Sequence, residues 1–368
     1  MKQRFTLTLI FSFSFLAHFH YCGAQSLEIA EISTPDKRIS YSIEINVDKF
    51  YSKTTKLVQS DKSNSSEKKF EIEGREEFGK NLQSIICDNN YIYFVTTEDG
   101  DETNNKKKVT EKLVLNRFDH KNLSHTKLTI ETPPIEGGEE SCFWSFVGQN
   151  DDTKFFAYKR VIEESNIVNF VVVGVSSEGK INSTSKFSTA LSAGKFTRPS
   201  VNITEPSNSA IIRRLDYRTG ISTNTMGGMR SSYERTYAYP TAHSQVVYDG
   251  NNNSFLVFGL YGDKPFKTIA SVYKGMYFTC YDVDGKKVWS TEQPADTKLM
   301  NEGFFRIHGT PGDRRVEAFS TPQKKIVFVI TFNNIVAPYL FSSDGKFLKS
   351  SLVKEGRKSS FNINDFVK

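Results

Sequence analysis

One short phrase recurs along this chain, and it restricts the fold more than any other feature. An apolar pair runs into an acidic or polar turn, usually with Gly, followed by Lys and a second alternating stretch. The phrase reads YDVDGKKVWS at Tyr281–Ser290, FSSDGKFLKS at Phe341–Ser350 and VSSEGKI at Val175–Ile181. Phe118–Leu128 lacks the Gly but keeps the frame, Val47–Leu57 resembles that copy, and Leu215–Gly220 is the least regular. Upstream of several copies lies a second phrase, a strand, an Asn/Asp turn and a strongly apolar strand. It occurs at Val246–Asn251 leading to Phe255, at Ile85–Asn90 leading to Tyr91, and at Ala318–Gln323 leading to Ile326.

The apolar runs are short and rich in β-branched and aromatic residues, as in Tyr91–Val95, Val168–Val175, Phe255–Phe258 and Ile326–Ile330. Each is bounded by Asn, Asp, Gly or Ser, as strands are, and no long i, i+3, i+4, i+7 pattern predicts a helix. Together the two phrases describe four antiparallel strands joined by tight turns, whose Gly or Asn supplies positive φ. One such sheet cannot bury two apolar faces, whereas a ring of them buries each against its neighbours. The expected fold is therefore all-β, a β-propeller of six four-stranded antiparallel blades. Seven blades also fit the length. N-terminal strands are expected to complete a sheet begun by C-terminal ones and so close the ring. Ser60–Lys69 and Glu98–Lys112 are expected to be solvated insertions.

The N-terminus is expected to fold apart from this ring. Lys2 and Arg4 precede the apolar run Phe5–Phe19, and Cys22-Gly23-Ala24 places small residues at a cleavage site. That is the pattern of a secretory signal peptide, with residues 1–24 removed and 25–368 forming one domain. His20 and Tyr21 are too bulky for a lipidation signal at Cys22. No later segment approaches the roughly 18–20 apolar residues of a membrane helix. With 48 Lys and Arg against 42 Asp and Glu, the charge excess is too small to point to nucleic acid or an anionic membrane. Cys87, Cys142 and Cys280 remain after cleavage, enough for at most one internal disulfide. They form no CxxC and no Cys/His zinc spacing, and no cofactor is implied.

The Asp-Gly-Lys turns carry a resemblance. Phe341–Lys349 resembles the end of an NHL-type repeat, and Tyr281–Trp289 resembles the end of a pyrroloquinoline-quinone-type repeat. Both repeat types build propellers. The likeness covers about ten residues per copy, concerns turn chemistry and implies a fold without an activity. The Ser-x-Asp-x-Gly-x-x-Trp box of sialidases is missing, because the Asp here directly precedes the Gly.

Two stretches could carry function. Arg213–His243 has few strand signals and contains Arg230, Tyr233, Arg235, Tyr237 and His243. Long irregular loops in compact domains are disproportionately functional, and Arg and Tyr combine planar area with hydrogen-bonding tips. It reads either as a loop over one mouth of the ring or as a degenerate blade with a solvated insertion. Met300–Arg315 adds Arg306 and His308 among glycines. This is either an anion-recognising cluster or an ordinary inter-blade connection. His308 has no nucleophile or orienting acid at a recognisable spacing, so no catalytic residue is assigned. Trp144 suits a pocket rim or the core, and Asp282 and Asp284 are read as turn formers rather than Ca²⁺ ligands. Sequons at Asn64, Asn122, Asn182, Asn202 and Asn252 are candidate glycosylation sites.

The sequence thus points to a secreted, monomeric, non-enzymatic propeller that binds an extracellular protein or small ligand. The competing expectation is a hydrolase or lyase with a metal or acid–base site in the central channel.

Overall fold

A computed structural model describes residues 25–47, 53–61, 66–72, 82–99, 111–133, 144–150, 152–162, 167–190, 195–197, 209–211, 244–262, 273–294, 314–332, 335–354 and 361–368. They form five antiparallel sheets. Blade 1 is β1 (Gln25–Ser33), β2 (Ile39–Val47), β3 (Lys53–Asp61) and β4 (Ser66–Ile72). Blade 2 is β5 (Leu82–Cys87), β6 (Tyr91–Asp99), β7 (Glu111–Asp119) and β8 (His125–Ile130). Blade 3 is β9 (Ser145–Gln149), β10 (Thr153–Ile162), β11 (Ile167–Ser176) and β12 (Ile181–Ala190). Two three-residue strands follow, β13 (Lys195–Thr197) and β14 (Ser209–Ile211). Blade 4 is β15 (Ser244–Asp249), β16 (Ser254–Gly262), β17 (Tyr273–Asp282) and β18 (Lys287–Pro294). Blade 5 is β19 (Arg314–Ser320), β20 (Ile326–Phe332), β21 (Ile335–Phe341) and β22 (Phe347–Ser350), with β23 (Val353–Lys354) beside β21.

The first strands of successive blades adjoin one another, β1 with β5, β5 with β9, β9 with β15 and β15 with β19. They are the inner strands about a common axis. The chain is a β-propeller.

The second strand of a blade explains the unbroken apolar runs. In β6, Ile92 and Phe94 pack with Tyr41 and Leu57 of blade 1, while Tyr93 and Val95 pack with Phe156 and Val173 of blade 3. In β16, Phe255 and Val257 meet Phe170 and Phe187 of blade 3, and Leu256 and Phe258 meet Phe328 and Phe341 of blade 5. A strand buried on both faces has no polar side to alternate with. Each buried Phe or Leu contributes roughly 1.5–3 kcal/mol, so the interfaces between blades are the core.

Three expectations are corrected. Five blades are described rather than six. Val47–Leu57, which looked like a third-to-fourth-strand turn, instead joins β2 to β3 inside blade 1, and Leu215–Gly220 lies outside the described residues. The N- and C-terminal strands do not share a blade: β1–β4 and β19–β22 form separate sheets of consecutive strands. Of Ser60–Lys69, the ends belong to the β3–β4 ladder rather than to an insertion, with Ser60 opposite Glu67 and Val58 opposite Lys69, and 62–65 lie outside the described residues. The polar composition misled because a hairpin is held by backbone hydrogen bonds that need no apolar side chain. Of Glu98–Lys112, the ends continue the ladder, Glu98 opposite Lys112, and 100–110 lie outside the described residues.

A one-turn helix, α1 (Ile363–Val367), also went unread; Asn362 caps it, its side chain accepting from the Asn364 N–H. Phe361, Ile363, Phe366 and Val367 cover the face of blade 5 that points away from blade 4, against Val327, Val329, Val336 and Leu340.

The recurrent turns behave as their chemistry requires. Gly179, Gly285 and Gly345 take φ of 81°, 86° and 83°. In each turn the residue three before the Gly accepts from the Gly N–H and donates its own N–H to the following Lys carbonyl. Leu123 takes the same role with φ 57° in the copy without Gly. Asp282 Oδ1 accepts from the N–H of Asp284 and of Lys286, so this Asp builds a turn. A further repeat emerges only here. Thr34-Pro-Asp-Lys37 and Thr321-Pro-Gln-Lys324 make matching first turns in blades 1 and 5, with Lys37 and Lys324 at φ 57° and 60°.

Candidate functional site

A polar cluster with several ionisable side chains lies where blades 1, 2 and 3 meet. Asp88 opens the β5–β6 turn, its Oδ1 accepting the N–H of Asn90 and of Tyr91 at 2.8 Å each. Its other oxygen takes a hydrogen bond of 2.7 Å from Lys154 Nζ of blade 3. The Lys154 side chain is only 3% exposed, and its ammonium lies 4.2 Å from the centre of the Tyr93 ring. A buried charge must be paired, and here the pair ties two blades. Burial pushes the Asp88 carboxyl up, but the Lys154 charge and the hydrogen bonds outweigh it and hold the group below its ordinary value.

His120 sits beside this pair. Its Nε2 lies 2.9 Å from the Asp88 carbonyl oxygen, which can only accept, so Nε2 carries the proton. Nδ1 is then the acceptor for Tyr41 Oη at 2.5 Å, and Tyr41 Oη in turn accepts from Gln59 Nε2 at 2.8 Å. The chain of donors and acceptors closes with His120 neutral, and burial lowers its pKa in the same direction.

Cys87 Sγ is 3.9 Å from His120 Nε2, which superficially resembles a nucleophile and its base. The chemistry is wrong for that. Nε2 already holds a proton and gives it to a carbonyl, and burial drives the Cys87 thiol far up, so no thiolate forms. Cys280 is likewise buried, free and pushed up to about 11 by desolvation. Cys87 belongs to the interface of blades 1 and 2, and Cys280 to that of blades 4 and 5. Cys142 lies outside the described residues. No group of three His, Cys, Asp or Glu among the described residues is placed to hold a metal ion. This cluster holds blades together.

A second feature concerns the channel. β13 pairs with the far end of β16, Thr197 opposite Leu260. β15 pairs with the rest, starting with Ser244 opposite Gly259. Leu260 and Gly259 are neighbours, so β13 and β15 are two pieces of one inner strand, interrupted by residues 198–243. Between them β14 crosses to blade 2 and lies on the free side of β5, Ala210 opposite Ile85, where it also touches β1. One piece of the excursion, β14, therefore lies along the inner strand of blade 2.

Arg230, Tyr233, Arg235, Tyr237 and His243 fall in this excursion, and Arg306 and His308 in the connection from β18 to β19. All seven lie outside the described residues, as do Asn64 and Asn202. Trp144 is fully buried with Phe156 and Tyr158, which decides for the core. Asn122 and Asn182 are exposed, while Asn252 is half-buried and donates to Asp249 Oδ2. The polar cluster itself had no sequence signal, since Tyr41, Cys87, His120 and Lys154 stand far apart and meet only through the ring. The interruption at Thr197 also had none, a three-residue strand being too short to read.

No family model and no curated protein matches this chain. Among solved structures it is similar to the Dos1 propeller, at 8% identity with a TM-score of 0.41, covering 90% of this chain and 65% of that one. It is also similar to the Malassezia sympodialis allergen Mala s 1, at 12% identity with a TM-score of 0.37, covering 89% and 78%. Prolyl oligopeptidase B from Galerina marginata matches at 7% identity with a TM-score of 0.40, covering 89% of this chain and 35% of the enzyme. The chain thus spans just under two thirds of the first of these and about a third of the peptidase. The propeller assignment rests on the sheets and their interfaces. No helix among the described residues is long and apolar enough to cross a membrane.

Proposed function

We propose that this chain is a secreted, non-enzymatic binding propeller whose contact loop is the Arg- and Tyr-rich stretch up to His243. The observation that carries the reading is where that stretch is tethered. It begins just after Ile211, on the inner edge of blade 2, and ends at Ser244, on the inner strand of blade 4. The described residues on either side of it lie beside the axis, on blades that are not neighbours, which supports a place at the mouth of the ring. A loop placed there would offer Arg230, Tyr233, Arg235, Tyr237 and His243 to one ligand from a rigid scaffold.

Strand direction supports a contribution from Arg306 and His308. β14 runs antiparallel to β5, from the level of Ile86 toward that of Ser84, and so leaves toward the end where β5 begins. In a ring of four-stranded antiparallel blades that is also the end where each outer strand finishes and the next inner strand starts. The end of β18 and the start of β19, which this connection joins, lie at that same end. The partner is an extracellular protein or small ligand presenting carboxylate or phosphate, met by paired Arg forks.

The test is a triple replacement of Arg230, Tyr233 and Arg235 by Ala in the mature chain, used as bait on extracellular material. The melting temperature should stay within about 2 °C, because surface changes usually cost under roughly 0.5 kcal/mol. Capture of the partner should fall at least about tenfold, since such side chains carry hot-spot energies of roughly 2 kcal/mol or more. Undiminished capture removes the loop from the reading.

A further inference from the structure

Blades 2–5 each make two tight turns at one end of the ring, because in an antiparallel blade the first-to-second and third-to-fourth connections share that end. In blade 2 the two touch, the His120 N–H of the later turn donating to the Asn90 carbonyl of the earlier one at 3.0 Å. The turns also adjoin from blade to blade. Lys154 Nζ of blade 3 reaches Asp88 of blade 2 at 2.7 Å. Asn150 Nδ2 of blade 3 donates to Tyr248 Oη of blade 4 at 3.5 Å, and Asn251 Nδ2 of blade 4 to the Ser320 carbonyl of blade 5 at 2.7 Å. Three sequons stand on this continuous face: Asn122 in the later turn of blade 2, Asn182 just past that of blade 3, and Asn252 in the earlier turn of blade 4. We propose that Asn122 and Asn182 carry N-linked oligosaccharides, which make this the solvated face of the ring and leave the opposite face to the partner.

The proposal rests on the secretion reading, because the activated sugar is found in the secretory compartment. There Asn Nδ2 attacks the anomeric carbon of an oligosaccharide held on a lipid diphosphate. The N–C bond forms, the C–O bond to the diphosphate breaks, one amide proton passes to a base of the transferase and the lipid diphosphate leaves. A glycan is bulky and strongly hydrated, so the folded chain tolerates it only where the amide reaches solvent. Asn122 is exposed, and its Oδ1 accepts the Ser124 N–H at 2.8 Å. That bond closes an Asx turn, with Leu123 between at φ 57°, and Nδ2 is the group left for the sugar. Asn182 is exposed too, at the bulge between the pairs Gly174–Ser183 and Val175–Ile181. Its Nδ2 donates to Thr153 Oγ1 at 2.9 Å, and a substituted amide keeps one N–H for that bond. Asn252 differs. It is half-buried, and its Nδ2 lies 3.1 Å from Oδ2 of the buried Asp249, whose other oxygen takes Ser320 Oγ of blade 5 at 2.6 Å. A sugar on that nitrogen would crowd the interface of blades 4 and 5, so none is assigned there.

The full chain is expressed in cultured animal cells behind its own N-terminus and, in parallel, behind a borrowed signal peptide in place of residues 1–24. Protein from the medium and from the membrane fraction is treated with peptide N-glycosidase in heavy-oxygen water, which converts each glycosylated Asn to labelled Asp. Peptide mass should show the label at Asn122 and at Asn182 and none at Asn252. Ser124→Ala and Thr184→Ala, which keep both Asn side chains and break the sequons, should each abolish it at the matching site. Asn122 or Asn182 left unlabelled behind the borrowed signal peptide overturns the proposal. So does label on Asn252, whose nitrogen the fold occupies. Label at Asn122 and Asn182 that appears only behind the borrowed peptide upholds the two sites and counts against the secretion reading instead.

Discussion

Gly345 of blade 5 sits against Trp289 of blade 4, so that a Cβ added to the glycine would clash with Cδ2, Cγ and Cε3 of the indole. The same relationship runs around the propeller. Gly285 of blade 4 would place a Cβ 2.8 Å from the Lys186 carbonyl oxygen of blade 3, and Gly179 of blade 3 one at 3.2 Å from Leu128 Cβ of blade 2. In blades 3, 4 and 5 the turn that ends the third strand is thus seated on the outer strand of the preceding blade. Glycine is needed twice there, for its positive φ and for the absence of a side chain.

Gly345→Ala is expected to lower stability by about 2–4 kcal/mol, combining backbone strain with overpacking. Gly345→Asn relieves part of the φ cost and none of the contact. In a double-mutant cycle with Trp289→Ala the two losses should be less than additive by at least about 1 kcal/mol, measured by urea unfolding. Additive losses would show that the seat does not exist.

Lys154→Met should cost about 3–5 kcal/mol, because it strands the Asp88 carboxylate in a largely buried place. The double variant Lys154→Met with Asp88→Asn should recover more than half of that loss. Denaturant midpoints of the four proteins decide the matter, and a double variant no better than the single one would contradict it.

His120 predicts a pH dependence. Its folded pKa is depressed below the ordinary 6.5, so the unfolded chain takes up the proton first as the pH falls. Stability is fully present above about pH 6.5 and drains away below it, toward the lowered folded pKa. Asp88, also depressed, adds a loss only at more acid pH, beneath the ordinary carboxylate value. Melting temperatures between pH 7.5 and 5 should therefore slope less in His120→Gln than in the parent. Equal slopes would show that His120 is not held neutral.

Both described thiols should be inert in the folded protein. Iodoacetamide at pH 8 should leave Cys87 and Cys280 unmodified after an hour and modify both in urea, read by peptide mass. Native labelling of Cys87 would mean that its thiol is neither buried nor raised.

Ending the chain at residue 360 should uncover Val327, Val329, Val336 and Leu340. We expect a lower melting temperature and new binding of an apolar dye to the folded protein. A truncated chain that melts like the parent would make α1 dispensable.

Local chemistry carried much of this fold. Tyr91–Val95 and Phe255–Phe258 read as buried strands because both of their faces meet neighbouring blades, and Asp282-Val-Asp-Gly285 reads as a turn because its own hydrogen bonds close it. Such features depend on residues within a few positions of one another, so they are written in the sequence, and strand content, turn geometry and the blade as a unit follow from them. How many blades assemble, that Thr197 and Ser244 belong to one strand, that β14 crosses to blade 2, and that His120 faces Cys87 and Tyr41 were decided by tertiary structure. These pairings join distant parts of the chain. Their energy comes from surfaces that exist only once the sheets stand around the axis, so nothing in the local pattern announces them.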